Sequence, residues 1–277
     1  MKPNLSFRWL GVQGVELRCE EQALVIDPFF TRPPLGSMLL LRPVQPDREL
    51  ILRMVPACSY ILVTHSHYDH LMDVPDLARH TGATVFGSAN TGQILDLSGV
   101  PGSQFHQVQP GERMNLGPFE VEVFANHHVS LLAAGTIFNG PIRPGLRPPL
   151  RQVDYRMDRP FGFYIQAQGV RILVCPGPAR PADVLLAGVD WKEGYYRSLL
   201  AATRPRLFVP LHWDNFFRSL EQPLRELVRP TGLSLKRLAG LMAEAAPTTK
   251  FRVPSIFERL NLIELISEPA EGPHAPS

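Results

Sequence analysis

The stretch Ser59-Tyr60-Ile61-Leu62-Val63-Thr64-His65-Ser66-His67-Tyr68-Asp69-His70 decides the reading of this chain. Ser59–Val63 is a continuous apolar run, the pattern of a strand buried on both faces. It feeds directly into three histidines and an aspartate within six residues. In an extended segment His65 and His67 project to the same side, because the side-chain period of a strand is two. They can therefore grip one ion together, while Asp69 and His70, past a bend, can reach a neighbouring one. Neutral imidazoles and carboxylates brought together are the donor set of a catalytic metal site. The C-terminal end of a buried strand is where open α/β sheets carry their sites.

Working outward, short apolar segments at Phe7–Leu10, Val15–Cys19 and Ala23–Ile26 read as strands separated by Gly11, Gly14 and the Glu20-Glu21-Gln22 turn. The third ends at Asp27-Pro28, where pairing must stop. Downstream, Val74–His80 and Thr91–Leu97 read as helices, the second with Asn90 as its cap, around a strand at Thr84–Phe86. A second strand series follows at Phe105–Val108, Phe119–Phe124, Gly162–Ala167, Arg171–Cys175, Val184–Ala187 and Leu207–Leu211. Helices are expected at Phe217–Val228 and Leu233–Ala245. The order strands, helices, strands, helices suggests a layered α/β body with two sheets. Two of these strands run into further histidines, at His127-His128 and at His212. His80, His106 and His274 lack that context and read as structural or exposed.

Composition bounds the function classes. With 277 residues, 28 Lys+Arg and 26 Asp+Glu, the chain carries a net charge of only +2, which argues against a general polyanion binder. A 44% hydrophobic and 19% charged composition excludes wholesale disorder. Proline reaches 28 residues, far above the usual ~5%, and concentrates in the stretches 28–46 and 141–160. Three cysteines without a CxxC pair favour a reducing compartment. The first ten residues lack the apolar core of a signal peptide, and no apolar run reaches the ~18 residues that span a bilayer. The expectation is a cytoplasmic protein acting on a small molecule, with no nucleic-acid partner and no membrane span.

At this point the sequence resembles the metallo-β-lactamase-fold hydrolase superfamily. The Thr64–His70 segment matches its HxHxDH motif, and Asp27-Pro28, His128 and Pro210-Leu211-His212-Trp213 follow in the family's order. Within it, the chain looks closest to the group containing ascorbate-6-phosphate lactonases and N-acyl-phosphatidylethanolamine phospholipase D. The resemblance, over roughly residues 5–220, implies a four-layer αββα sandwich in a single domain 1–265, with a helical extension at 216–265 and a flexible tail at 266–277. It also implies a metal pair, one ion held by His65, His67 and His128 and the other by Asp69, His70 and His212. His127 is the alternative to His128. One departure stands out: Gly177 occupies the place of the family's bridging aspartate in its Gly-Asp-Thr turn. A carboxylate between two cations offsets their repulsion, so its absence implies a weaker second site or a single ion. Cys175 is a candidate substitute, against the commoner reading of a buried strand cysteine. Asp183 reads as structural.

The expected chemistry is hydrolysis by a hydroxide formed on Zn²⁺, with Mn²⁺ or iron as alternatives, because a bound cation brings the pKa of water to about 7. Asp69 is the expected catalytic residue, orienting that water and taking its proton. Asp27 is a candidate partner for a ligand histidine. The apolar stretches 29–41 and 131–138, with Arg143, Arg147, Arg151, Arg156 and Arg159 nearby, favour a phosphodiester, lactone or ester with an apolar part. Two other readings stay open: a degenerate member that binds without turnover, and a mono-iron relative of thioesterase or dioxygenase type.

Overall fold

The computed structural model describes residues 4–128, 135–174, 180–227 and 232–268. In chain order the elements are β1 (Leu5–Gly11), β2 (Gly14–Cys19), β3 (Gln22–Ile26), α1 (Leu35–Leu39), α2 (Arg48–Met54), β4 (Tyr60–Leu62), α3 (Tyr68–Leu71), α4 (Val74–Thr81), β5 (Thr84–Gly87), α5 (Ala89–Leu97), β6 (Phe105–Gln107), β7 (Arg113–Leu116), β8 (Phe119–Ala125) and α6 (Gly135–Phe138). The second half adds β9 (Phe161–Ala167), β10 (Val170–Val174), β11 (Val184–Gly188), α7 (Glu193–Thr203), β12 (Leu207–Leu211), α8 (Leu235–Ala245), β13 (Lys250–Phe251), β14 (Arg259–Asn261) and α9 (Leu262–Ser267).

These strands make two seven-stranded sheets, ordered β14-β1-β2-β3-β4-β5-β6 and β13-β12-β11-β10-β9-β8-β7. Each is antiparallel in one half and parallel in the other, the switch falling at β3 in the first sheet and at β10 in the second. One core lies between the sheets, gathering Phe7, Trp9 and Leu17 with Phe119, Phe163 and Val209, and it continues on the other face of the second sheet, where Phe208 stacks on Tyr196 of α7. A second core joins the outer face of the first sheet, through Val25, Ile61 and Val63, to α2, α4 and α5. The result is the expected αββα layering. Parallel strands covered by helices on one face and a partner sheet on the other are buried on both, which is why Ser59–Val63 shows no alternation.

Four local expectations differ from the structure. The α5 cap is Ser88, whose Oγ accepts from Thr91 N–H at 3.3 Å. Asn90 instead lies inside the helix and donates from Nδ2 to Gly140 O (2.9 Å) and Arg156 O (2.7 Å), tying the proline-rich segment to the body. No helix forms within 217–227. Pro223 lacks an N–H and disfavours α geometry at Gln222, and the segment instead folds back through Asn215 N–H to Arg225 O and Leu227 N–H to Trp213 O. Residues 216–265 also supply more than helices, because β13 pairs β12 and β14 pairs β1 as sheet edges. Finally, α7 was not foreseen. It starts without a side-chain cap and ends at Arg204 in a left-handed conformation rather than at a glycine, so neither boundary carries a sequence signal. Residues 131–134, Cys175 and Gly177 lie outside the described residues, as does the tail from 269.

Candidate metal centre

The site is assembled from strand ends. Asp27 follows β3, His65 and His67 follow β4, His128 lies beyond β8 and His212 follows β12. All are C-terminal ends, and the parallel halves of the two sheets bring β3, β4 and β12 to the same edge. Hydrogen bonds stitch that edge together: Phe161 N–H donates to Thr64 O (2.7 Å), and His212 N–H donates to Val12 O (2.8 Å). Asp27 (φ 42°) and His212 (φ 58°) hold left-handed conformations that bend the chain out of its strand. Non-glycine residues adopt such conformations mainly where surrounding structure over-determines them.

The six predicted ligands fall into two triads. His65, His67 and His128 form one, and Asp69, His70 and His212 the other, with the ligand atoms of each triad within 4.8 Å of one another. Of the adjacent pair it is His128 that lies with His65 and His67. Both histidines are exposed, and it is the His128 ring that lies 4.8 Å, centroid to centroid, from the rings of His65 and His67.

Hydrogen bonding around the first triad fixes which ring nitrogens are bare. Thr64 donates its hydroxyl hydrogen to Asp27 Oδ2, so at Thr64 Oγ1, 3.1 Å from His65 Nδ1, the ring must be the donor. His65 Nε2 is then a bare lone pair. His67 Nε2 lies 3.2 Å from the carbonyl of Phe138, which only accepts, so His67 Nδ1 is the bare atom of that ring. These two bare nitrogens face each other at 3.1 Å. Two lone pairs so close repel unless a cation lies between them, which is the fit expected for a metal at this triad. Burial, followed by the neighbouring His70, holds His65 well below the usual imidazole pKa. Burial and His128 hold His67 at about 4. Both rings are therefore in the neutral, metal-binding form.

The second triad is built around carboxylates. His70 Nδ1 lies 2.8 Å from Asp27 Oδ2, and its Nε2 lies 3.5 Å from Asp69 Oδ2. Asp69 Oδ2 is also 3.2 Å from His212 Nε2. Burial alone would lower His70, but Asp69 and Asp27 raise it to about 10, so a cation at this triad would have to replace the proton on Nε2. Burial would raise Asp69, and His70 and His212 outweigh it, leaving the carboxylate well below its ordinary range. Asp27 also accepts Thr64 N–H at 2.8 Å, so one buried carboxylate orients both the loop and the His70 ring.

One residue absent from the sequence reading stands here. Asp190, just past β11, places Oδ2 4.0 Å from His212 Nδ1, on the ring edge away from Asp69. The available signal was positional: β11 is a parallel strand next to β12, so its C-terminal end reaches the same edge. Of the five arginines near the proline-rich segments, three are engaged locally. Arg151 pairs with Asp154, Arg156 donates to Asn139 O and Pro141 O, and Arg159 donates to Gln109 Oε1. Asp183 pairs with Arg171 at the N-terminal ends of β11 and β10, the ends opposite those that carry the triads. The walls are aromatic: Phe216 packs on His212 (5.4 Å between centroids), Tyr68 and Phe217, and Phe138 packs on His67 (5.9 Å).

Comparison with known proteins follows the same lines. The family model described as beta-lactamase superfamily domain matches residues 22–191. A UPF0173 metal-dependent hydrolase of Ruegeria sp. (strain TM1040) is 27% identical over 190 residues, covering 68% of both chains. UPF0173 metal-dependent hydrolases of Staphylococcus aureus are 34% identical over 114 residues, a match spanning 41% of this chain and 40% of theirs. Among solved structures, Igni18, a metallo hydrolase from Ignicoccus hospitalis, superposes with a TM-score of 0.62 at 17% identity, covering 93% of this chain and 97% of that one. The metallo-beta-lactamase fold protein YhfI from Bacillus subtilis superposes with a TM-score of 0.57 at 11% identity, covering 94% and 99%. At these identities the structural likenesses speak to the fold alone.

Proposed function

The chain belongs to the beta-lactamase superfamily domain family and is a metal-dependent hydrolase of that superfamily, and from that premise we propose that it holds a pair of zinc ions and cleaves a phosphodiester, lactone or ester bearing an apolar part. The observation that carries this reading is the pairing of the two triads, one of three imidazoles and one of a carboxylate with two imidazoles. His65, His67 and His128 would hold one ion, and Asp69, His70 and His212 the other. When bound, such cations supply an acidified water and polarise the bond to be cleaved.

The chain's own residues supply the rest. Asp69, kept ionised by His70 and His212, orients the attacking water and accepts its proton. Asp27 holds the His70 ring with Nδ1 toward itself, leaving Nε2 to face the ion. Thr64 does the same for His65. Phe138, Phe216 and Phe217 form an apolar border that excludes bulk water and receives the apolar part of the substrate. The substrate is a small molecule of the cytoplasm.

The test couples metal quantification to turnover. The purified protein should carry two equivalents of zinc and hydrolyse at least one member of a panel of phosphodiesters, lactones and esters. His67→Ala and Asp69→Ala should lose turnover while keeping the thermal transition. A protein that binds no metal, with no activity after addition of Zn²⁺ or Mn²⁺, would overturn the proposal.

A further inference from the structure

Among the described residues five large apolar side chains stand exposed, and four belong to one stretch: Leu35 (43%), Leu39 (72%), Leu40 (62%) and Leu41 (50%). Single exposed leucines are ordinary, but a contiguous group marks a contact surface. The helix α1 that begins it buries none of its residues, so packing on the body does not explain its composition.

The stretch is presented on a firm base. Its root is fixed where Phe30 and Thr31 donate their N–H groups to the buried Asp73 carboxylate, at 2.5 and 2.9 Å. Arg32, fully buried, pairs with Asp214 at 2.5 Å. The far end is closed by Arg42 N–H to Ser37 O (2.9 Å) and Val44 N–H to Leu150 O (3.0 Å). Such a base can hold the leucines away from the protein surface.

The charge on the adjoining segments is one-sided. Arg42 follows the last leucine directly, Arg48 and Arg53 lie on α2, and Arg143 and Arg147 lie on the segment that Leu150 joins to Val44; all five are exposed. None of the five has an ion-pair partner among the described residues. On these same segments the exposed acids are Asp47, whose carboxylate caps α2, and Glu49. A two-fold contact with a second copy would press this basic surface against itself. An anionic bilayer, in contrast, accepts both the leucines and the arginines.

We propose that the Leu35–Leu41 tip and its arginine border dock peripherally onto an anionic phospholipid surface. The leucines enter the boundary between headgroups and acyl chains, and the arginines remain among the phosphates. No helix among the described residues is long and apolar enough to cross a membrane, so the contact is interfacial and reversible. This inference is independent of the metal triads and of the substrate proposed above.

The test is co-sedimentation of the full chain with phosphatidylcholine vesicles, with and without phosphatidylglycerol. Binding is expected to the anionic vesicles only and to fall as salt rises, since salt screens exposed charges. Leu39→Ser/Leu40→Ser should weaken partition by ~10-fold or more, given the area each leucine would bury. Arg42→Glu/Arg147→Glu should weaken binding to the anionic vesicles. Both pairs are exposed, so the thermal transition and metal content should stay unchanged, which separates this test from the hydrolase proposal. Failure to bind anionic vesicles, or equal partition of the leucine variant and wild type, would overturn the inference. So would a dimer by light scattering that the leucine variant dissolves, because the face would then be a self-contact.

Discussion

Replacing Asp27 by asparagine should weaken one metal position more than the other. Asp27 is fully buried and makes three contacts: it accepts the Thr64 N–H and O–H, and it faces His70 Nδ1 at 2.8 Å. Asparagine is nearly isosteric and tolerates the φ of 42° at this position, so the backbone should hold. The amide, however, brings an NH₂ where a carboxylate oxygen was. Turned toward Thr64 N–H, it sets donor against donor. Turned toward His70, it drives the ring into the tautomer with hydrogen on Nε2, the atom that faces Asp69 and the would-be ion. Loss of a carboxylate behind a ligand histidine typically costs 10–100-fold in metal affinity, equivalent to about 1.4–2.7 kcal/mol. Competition titration against a chromophoric chelator should resolve two binding steps in the wild type. In Asp27→Asn, the step belonging to Asp69, His70 and His212 should weaken by that factor, and the step of His65, His67 and His128 by less, because Asp27 reaches that triad only through the Thr64 hydroxyl. Unchanged affinity at both steps, or equal loss at both with the thermal transition intact, would refute the orienting role.

Three further outcomes are expected. Arg32→Met leaves the Asp214 charge buried without its cation and should cost about 3–5 kcal/mol in urea unfolding, part of it recovered in Arg32→Met/Asp214→Asn, whose amide oxygen can still accept the Val12 N–H; a single-variant loss below about 1 kcal/mol would contradict this. Burial, opposed by hydrogen bonds from Thr31 and Phe30, raises Asp73 from 3.8 to about 6. The folded state therefore binds that proton more tightly than the unfolded one, and the contribution is complete below pH 4 and lost as pH rises through 6. Its size is about 3 kcal/mol, so wild-type stability should fall relative to Asp73→Asn between pH 4 and pH 7, and a flat difference would sink the assignment. His128→Ala should lose one equivalent of metal and His127→Ala none, as counted by elemental analysis.

What the sequence disclosed follows from where its information is local. The Thr64–His70 segment is a strand end with its ligands at fixed short spacing, so both the fold position and the grouping could be read from one window. His212 was legible because an apolar strand ran straight into it. Asp190 was not, since its relation to His212 depends on the pairing of β11 with β12, and pairing is non-local. The expected helix at 217–228 does not form over its described residues 217–227 because Pro223, whose missing N–H opposes a helix interior, overrides the apolar periodicity. α7 was hidden for the opposite reason, a helix without a capping residue or a C-terminal glycine. Edge strands β13 and β14, of two and three residues, are too short for any periodicity to register.

The two triads differ in what stands behind them, and that difference makes them unequal. The first is oriented by neutral groups, the Thr64 hydroxyl and the Phe138 carbonyl, and its donors are all imidazoles. The second contains Asp69 and is backed by Asp27 against His70 and by Asp190 beside His212. A carboxylate about 4 Å from a unit positive charge is worth about 4 kcal/mol at an effective dielectric of 20. Charge therefore accumulates on one side of a site whose two positions share an edge. Two cations held so near repel each other, and a bridging carboxylate is the usual remedy. Here the carboxylates behind the second triad can offset the same repulsion from one side. Their arrangement favours stepwise loading with distinct affinities, which is why a perturbation at Asp27, in direct contact with His70 but linked to His65 only through Thr64, should be read unequally in the two binding steps.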